Sequence, residues 1–349
     1  MKGISFNVKN KKCMKPFLIK FFISILIFLV SFEIFLRVSG KYNTRSENKT
    51  GIYSFKYKVK KPTWYYTNKP NSSRIKKEKE WQYFNQYNEF GNREKSIENF
   101  INDTIPIKVV CLGDSFTEGD GAPYDSSWVR FFERKLNLKD SLKYKIYNAG
   151  ACGSDVFYNH KILTNKLMIL KPKIVIECIN STDINDVIWR GGIERFNSDG
   201  TVSGKVGPNW EFFYCFSHVF RAFMNVFYKY NENLISENNL LLNNKSAVFL
   251  IANQVEQTAQ FCLSNHIEYH LIIHPLPTEL INGATQPIEF IQQLDHRPYV
   301  TSLFTSFNNY YKKNDLLKEY WMVNKHFNSK GYLTMGNIIF NEIKLNTIK

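Results

Sequence analysis

The feature that most constrains the fold is an alternation of short β-rich runs with helical patterns, which begins at Ile107. The runs predict strands over residues 107–113, 143–150, 173–178 and 267–275. The segments between and after them carry apolar residues at helical spacing, as in Val248, Ile251, Ala252, Val255, Ala259 and Cys262. Such alternation is typical of a parallel sheet covered by helices on both faces. We therefore predict an α/β fold, a three-layer α/β/α sandwich with a central parallel sheet.

Two segments depart from this alternation. Residues 41–100 are rich in Lys, Tyr and Asn and show no sustained period, so we expect a stalk that leads onto a domain spanning residues 101–349. Within that domain, residues 187–245 form an aromatic-rich insertion. The insertion is a candidate for shaping a substrate site.

An apolar run occupies residues 17–36, broken only by Lys20, Ser24, Ser31 and Glu33. Roughly twenty such residues are what a bilayer-spanning helix requires. Six lysines precede or enter the run, so the positive-inside rule predicts a cytoplasmic tail over 1–16 and an anchor over 17–37. The domain would then lie outside the cytoplasm, in a periplasm or at the cell surface. A cleaved signal peptide is the alternative, although residues 38–40 lack an A-x-A pattern.

The pattern of basic residues and the spacing of the cysteines argue against nucleic-acid binding, a zinc site and a disulfide-rich fold. The formal net charge is +15, but the basic residues form neither a recognition-helix pattern nor an RNA-binding aromatic signature, so no nucleic acid partner is expected. Six cysteines at irregular spacing contain no C-x-x-C pair. They therefore predict neither a zinc site nor a disulfide scaffold.

A serine motif directly follows the first predicted strand. Residues 113–119 read Gly-Asp-Ser-Phe-Thr-Glu-Gly, with Ser115 at the turn. A serine on a tight strand-to-helix turn presents its hydroxyl at the carboxyl edge of a parallel sheet, where ligands bind in open α/β folds. The motif is not a P-loop, because no Lys-Ser/Thr pair follows the second glycine.

This motif resembles the first sequence block of the SGNH/GDSL hydrolase superfamily, which includes esterases, lipases, carbohydrate acetylesterases and some acyltransferases. The resemblance implies a flavodoxin-like sheet, with Ser115 as nucleophile and its N–H in the oxyanion hole. The second block resembles residues 148–155, where Gly153 would be the next oxyanion donor.

The third and fourth blocks match less well. The family presents Gly-x-Asn-Asp, but this chain has Thr182 before Asp183, so either Thr182 or the nearby Asn180 would donate to the oxyanion. Asp114 and Asp183 are possible supporting residues. The last block contains His326, the implied base.

The acid of the family's closing block is replaced. Asn324 stands two positions before His326, where an Asp is expected. An Asn can orient an imidazole but cannot neutralise the imidazolium that forms. We therefore expect Asn324 to orient His326, or another acid such as Asp315 or Glu319 to assist it.

Three histidines recur every fourth residue, at His266, His270 and His274. On a helix this spacing could hold a metal, but the surrounding residues predict a strand. Residues four apart on a strand lie about 13 Å apart, so no metal and no cofactor are expected.

These inferences predict a membrane-anchored serine esterase that acts on an ester, an O-acetyl group above all, of a cell-envelope glycan through a Ser115 acyl-enzyme. Two alternatives remain open. One is an O-acyltransferase on an exopolysaccharide, and the other is a non-catalytic SGNH-like domain that binds a glycan or a partner protein.

Overall fold

The fold is seen in a computed structural model that describes residues 11–43, 68–140, 143–202, 210–228, 230, 243–286, 293–294 and 296–345. Contacts divide the chain into two units. The smaller unit comprises residues 1–58 and 205–240, and the larger comprises residues 59–204 and 241–349.

The larger unit contains a five-stranded parallel sheet. In chain order the described strands are β1 (Ser72–Lys77), β2 (Gln82–Tyr87), β3 (Ile107–Leu112), β4 (Tyr144–Asn148), β5 (Ile174–Ile179), β6 (Glu268–Ile273) and β7 (Val300–Ser302). The strands β3 to β7 are all parallel and lie in the order β4-β3-β5-β6-β7, which is the flavodoxin-like order. The predicted central parallel sheet is confirmed, with β7 as a short edge strand that the sequence pattern did not indicate.

Helices surround the sheet and also make up the smaller unit. The described helices are α1 (Lys11–Ser39), α2 (Ile97–Ile101), α3 (Ser115–Glu118), α4 (Trp128–Asp140), α5 (Val156–Asn165), α6 (Thr182–Arg190), α7 (Glu211–Phe216), α8 (His218–Tyr228), α9 (Asn244–Ser264), α10 (Pro277–Ile281), α11 (Phe304–Tyr311) and α12 (Ser329–Glu342). Four of them begin where an Asp or Asn side chain accepts hydrogen bonds from the first turn, namely α3 at Asp114, α5 at Asp155, α9 at Asn243 and α12 at Asn328.

Both faces of the sheet are buried. On β3, Val110 and Leu112 pack into the core shared with α2, α5, α6 and α9, whereas Val109 and Cys111 pack into the core shared with α4, α11 and α12. Successive strand residues point to opposite faces, so a strand covered on both sides reads as a continuous apolar run. The predicted three-layer sandwich is confirmed.

An antiparallel hairpin lies within the predicted stalk. Strands β1 and β2 pair from Ser72 with Tyr87 to Lys77 with Gln82. Along β2, residues 83, 85 and 87 are buried and residues 82, 84 and 86 are exposed. The hairpin belongs to the larger unit. Residues 44–67 of the stalk, like 1–10 of the tail, lie outside the described residues.

The predicted insertion divides between the two units. Its residues up to 204 and from 241 belong with the sheet, whereas residues 205–240 group with the apolar helix α1. Residues 203–209, 229 and 231–242 of this segment are not among those described.

A glutamate lies at the centre of the sheet. Glu177 on β5 is completely buried, and it accepts hydrogen bonds from the Tyr269 hydroxyl at 2.6 Å and the Asn159 amide at 2.9 Å. Burial raises the pKa of Glu177 to about 7, although these two donors oppose the shift. The carboxyl therefore stays largely protonated below neutral pH.

This residue predicts a pH-dependent stability. Below pH 4.5 Glu177 is protonated in both the folded and the unfolded chain, and its contribution to stability is complete. Above that pH the carboxyl ionises in the unfolded chain but stays protonated in the folded chain until the folded pKa near 7 is passed. We expect the free energy of unfolding to fall by about 3 kcal/mol across this window. Glu177→Gln should remove that part of the fall. Urea unfolding in detergent micelles at pH 4.5 and pH 8 measures this change in the free energy of unfolding. An equal change in the parent chain and in Glu177→Gln would refute the assignment.

Candidate active site

Ser115 is held at the carboxyl end of β3 by a constrained turn. Gly113 has φ of +148°, and a Cβ there would lie 2.9 Å from the Cys178 carbonyl oxygen, so only glycine fits. The Asp114 side chain accepts a hydrogen bond from the Phe116 N–H at 2.9 Å. The next residue, Ser115, opens α3 and is 9% exposed. The hydroxyl is thus fixed at the sheet edge that the sequence predicted.

The predicted base lies against this serine. The Nε2 atom of His326 is 2.7 Å from Ser115 Oγ. The imidazole ring stacks on Phe116, with 4.7 Å between ring centroids. These residues are 211 positions apart in sequence, and the structure brings them into direct hydrogen-bonding contact.

The other ring nitrogen of His326 contacts the main chain. Nδ1 lies 2.9 Å from the backbone carbonyl oxygen of Asn324. A carbonyl only accepts hydrogen bonds, so Nδ1 carries the proton and Nε2 is left to accept from the Ser115 hydroxyl. The acceptor is the peptide group of Asn324 and not its side chain, whose Oδ1 is buried without a hydrogen-bond partner among the described residues.

The two candidate replacement acids have other roles. The Glu319 carboxylate accepts hydrogen bonds from the hydroxyls of Tyr310, Tyr311 and Thr334. Asp315 caps a turn by accepting from the Leu317 N–H. Both ring nitrogens of His326 are already paired with Ser115 and Asn324. Neither acid therefore hydrogen-bonds to the imidazole.

A carboxylate from the β1–β2 hairpin holds the loop that carries His326. Glu80 accepts hydrogen bonds from three consecutive N–H groups, those of Met322 at 3.0 Å, Val323 at 2.8 Å and Asn324 at 3.4 Å. Consecutive N–H groups that converge on one anion form a concave anion site. Glu80 therefore holds the main chain that leads directly into the Asn324 carbonyl.

A second carboxylate acts on the imidazole at longer range. Asp120 is 5% exposed and pairs with Lys76 Nζ at 2.6 Å and with the Tyr83 hydroxyl at 2.7 Å. Burial opposes its ionisation, but the positive charge of Lys76, the electrostatic interaction with His326 and the hydrogen bonds from Lys76 and Tyr83 hold the pKa of Asp120 below its usual range. The Asp120 carboxylate is therefore a negative charge near the imidazole.

The predicted oxyanion loop is tied to the Ser115 turn. The Ala151 N–H and the Ser154 hydroxyl both donate to the Gly113 carbonyl at 2.9 Å. The Cys152 N–H donates to the Glu118 carboxylate at 2.7 Å. Gly153 lies between these bonds with φ of +79°.

The two predicted third donors both approach Asp114. The Asn180 amide donates to Asp114 Oδ2 at 2.9 Å and lies 3.2 Å from His274 Nε2. The Thr182 hydroxyl lies 2.7 Å from Asn180 Oδ1 and 3.3 Å from Asp114. Asn180 is fully buried, whereas Thr182 is partly exposed. A substrate oxygen can therefore reach Thr182 more readily than Asn180.

Asp183 has a supporting position beneath these residues. Its side chain accepts a hydrogen bond from the Asn180 N–H at 2.9 Å. Burial, and then the negative charge of Asp114, raise the pKa of Asp183 well above its usual range. This carboxyl helps to fix the main chain at Asn180.

The three histidines of the β6 region have separate surroundings. His266 follows α9 with φ of +57°, His270 pairs with Glu268 at 2.7 Å, and His274 is buried beside Asn180. Within the described ranges, no group of three or more His, Cys, Asp or Glu side chains is arranged to hold a metal ion.

Ser115, His326 and two loops tied to the Ser115 turn thus meet at the carboxyl edge of a flavodoxin-like sheet. This sheet is the fold that the resemblance to the SGNH/GDSL hydrolases implied.

Sequence reasoning missed three residues of the site. Glu80 and Asp120 lie outside any recognised block, and no sequence signal marks Glu80. His274 had a usable signal, since it directly follows β6 at the edge that carries Ser115.

Comparison with known proteins identifies only distant structural similarity. No family model matches the chain, and no curated protein matches it. Solved structures include a two-domain esterase active on acetylated mannans, with 11% identity, a TM-score of 0.41 and coverage of 68% of this chain. The chain spans 48% of that esterase.

Two further solved structures are similar along nearly their whole length. One is the acetylxylan esterase Axe2 from Geobacillus stearothermophilus, with 12% identity, a TM-score of 0.41 and coverage of 71% of this chain and 99% of that one. The other is a lipase from a goat rumen metagenome, with 15% identity, a TM-score of 0.40 and coverage of 67% and 95%.

The main-chain contact at His326 predicts tolerance at Asn324. Asn324→Ala keeps the carbonyl, so we expect kcat for ester hydrolysis to stay within about three-fold, whereas loss of a side-chain orienting group costs up to about 10⁴-fold. Steady-state kinetics on p-nitrophenyl acetate measures this. A loss of two orders of magnitude with the fold intact would show that the side chain does the orienting.

Glu80 should act on turnover without contacting substrate. In Glu80→Gln the loop loses its charged acceptor, and a displaced imidazole can lower kcat by on the order of 10²-fold. We expect kcat to fall at least ten-fold with KM little changed and the pH profile displaced. Glu78→Gln, on the exposed side of the same hairpin, is the matched control. Equal kinetics for the two variants would exclude the positioning role.

Proposed function

We propose that this chain is a membrane-anchored serine esterase that removes O-acetyl groups from a cell-envelope glycan. The observation that carries the proposal is the 2.7 Å contact between Ser115 Oγ and a His326 ring whose Nδ1 proton is held by the Asn324 carbonyl. This geometry meets the requirement for an activated nucleophile, a base in hydrogen-bonding reach that a third group orients.

The first half-reaction forms an acyl-enzyme. His326 Nε2 takes the proton from Ser115 as Oγ attacks the ester carbonyl carbon. The resulting imidazolium donates its Nε2 proton to the departing sugar oxygen, so the alcohol leaves neutral. Among the described residues the hydrogen-bond partners of the ring are Ser115 and the Asn324 carbonyl, so the Asn324 dipole, together with the more distant charge of Asp120, stabilises the cation.

The negative charge develops on the former carbonyl oxygen. The Ser115 N–H is available because the first N–H groups of a helix have no intrahelical acceptor. The Gly153 N–H is the second donor and the Thr182 hydroxyl the third. Loss of one such donor lowers turnover by about 10²- to 10³-fold, so a hydroxyl in place of the family's amide predicts slower chemistry.

The second half-reaction releases the acyl group. Water gives a proton to His326 Nε2 as its oxygen attacks the acyl carbon. The bond from that carbon to Ser115 Oγ then breaks, Oγ takes the proton back from His326, and acetic acid leaves, to ionise to acetate in solution. If a sugar hydroxyl takes the place of water, the same site performs O-acetyl transfer. The esterase and the transferase therefore differ only in which molecule accepts the acyl group, water or a sugar hydroxyl.

The anchor supports a substrate outside the cytoplasm. The helix α1 contains a 24-residue apolar segment, Pro16–Ser39, whose most apolar 18-residue window has a mean hydropathy of 2.4 and is not buried. Such a segment is long enough to cross a bilayer. With the lysine-rich side in the cytoplasm, the larger unit faces the envelope, where acylated polysaccharides are one class of ester within its reach.

The dyad is tested by hydrolysis of p-nitrophenyl acetate with the full chain in detergent. Ser115→Ala and His326→Ala should each lower kcat/KM by roughly 10³-fold or more, because the two groups act as a unit. Ser181→Ala, at a nearby serine that makes no capping bond, is the control. Undiminished activity in Ser115→Ala would contradict the assignment.

The substrate class is tested separately with acetylated xylan or mannan. Free acetate released without an added glycan acceptor supports the esterase. Acetate that appears on an unacetylated acceptor glycan, with little free acetate, supports the transferase. Activity on p-nitrophenyl acetate without either product would remove the glycan from the proposal and leave the dyad intact.

A further inference from the structure

The helix α8 in the smaller unit has its polarity reversed relative to a helix on a water-soluble surface. It buries His218 at 3% exposure and Arg221 at 0%. It exposes Phe223 at 47%, Val226 at 60% and Phe227 at 69%. These three residues recur at spacings of three and four, so they form one face of the helix.

The buried polar side chains have partners inside the same unit. Arg221 donates through Nε to the Tyr214 carbonyl at 2.6 Å and through Nη1 to the Tyr42 carbonyl at 3.2 Å. His218 Nε2 lies 3.1 Å from Asn43 Oδ1. The polar face of α8 therefore packs against the protein, and the aromatic face is directed outward.

A glutamate of the apolar helix α1 fixes the start of α8. Glu33 accepts hydrogen bonds from the His218 and Val219 N–H groups, each at 2.9 Å, and from the Ser217 hydroxyl at 3.0 Å. A carboxylate at a helix N-terminus satisfies free N–H groups and complements the helix dipole. Glu33, the one acidic residue of the apolar run, thus attaches α8 to α1.

This contact sets the level of α8 along α1. Glu33 precedes the end of α1 at Ser39 by about 9 Å, at 1.5 Å per residue. At that end Phe35 is 63% exposed, and the Arg37 side chain is 52% exposed while its Nε pairs with Glu33 at 2.7 Å. Apolar surface and a guanidinium therefore occur together beside α8, as at a lipid headgroup boundary.

We propose that the outward face of α8, formed by Phe223, Val226 and Phe227, lies in the membrane interface, at the boundary between acyl chains and headgroups beside the end of α1. The inference rests on the proposed anchoring by α1. The partner is the lipid itself, because the aromatic face continues the apolar surface of α1 and is bordered by a cationic side chain. The aromatic insertion then serves to hold the chain at the bilayer.

The test uses the full chain reconstituted in phosphatidylcholine vesicles, with or without bromine on the acyl chains. Phe227→Trp adds an emitter to the proposed face, and Val226→Trp, at a second exposed site, guards against a local packing defect. We expect brominated lipid to quench the added emission several-fold in both variants, and aqueous iodide to quench it little. The parent chain in matched vesicles supplies the background from the native tryptophans.

Phe28→Trp, at mid-span of α1 with 63% exposure, separates the possible failures. If bromine quenches this variant but neither α8 variant, α1 is anchored and the interfacial role of α8 is overturned, as it would be if a second copy of the chain covered that face. If bromine quenches none of the three, the anchoring itself fails and the inference with it.

Discussion

The site depends on the hydrogen bonding of β3 between β4 and β5. All three strands are parallel, so their carboxyl ends meet at one edge and deliver the Ser115 turn, the Gly153 loop and Asn180 to the same place. The order reverses direction at β3, and this is where a doubly wound sheet leaves a crevice for a ligand. The remaining side chains of the site only complete what this pairing assembles.

In the loop that carries His326, the proposed base is oriented by a peptide carbonyl in place of an adjoining acid. A peptide carbonyl orients the imidazole but offers the imidazolium only a dipole, whereas an adjoining carboxylate would offer it a full negative charge. Glu80 adds a charge nearby, on the N–H groups of Met322, Val323 and Asn324, which belong to the peptide groups just before the one whose carbonyl contacts His326. Asp120 adds another, partly neutralised by Lys76. The predicted consequence is a weaker base than a Ser-His-Asp triad, with its geometry intact.

The two units differ in which side chains they bury. The larger unit buries apolar residues on both faces of its sheet, whereas α8 buries Arg221 and exposes Phe227. Each arrangement is favourable only in its own solvent, since unpaired polar groups are costly in lipid and apolar surface is costly in water. Glu33 is therefore a structural residue of the apolar helix, with four donors around its carboxylate.

The sequence by itself determined the layered fold and predicted that Ser115 and His326 belong to one site, because strand runs, glycine turns and the Ser115 motif are local patterns. It located four of the five sheet strands and missed β7, which has only three residues. It did not indicate the β1–β2 hairpin, whose inward positions are the polar-tipped Tyr83, Asn85 and Tyr87 and so lack an apolar period.

Only the tertiary structure decided what orients His326 and where the aromatic insertion belongs. The acceptor at Nδ1 is a backbone carbonyl, which every residue possesses, so no side-chain pattern could identify it. Glu80 reaches its loop across more than 240 residues, and Glu33 reaches α8 across 185. Contacts of that range depend on how the elements pack in space, and the linear order of residues does not encode them locally.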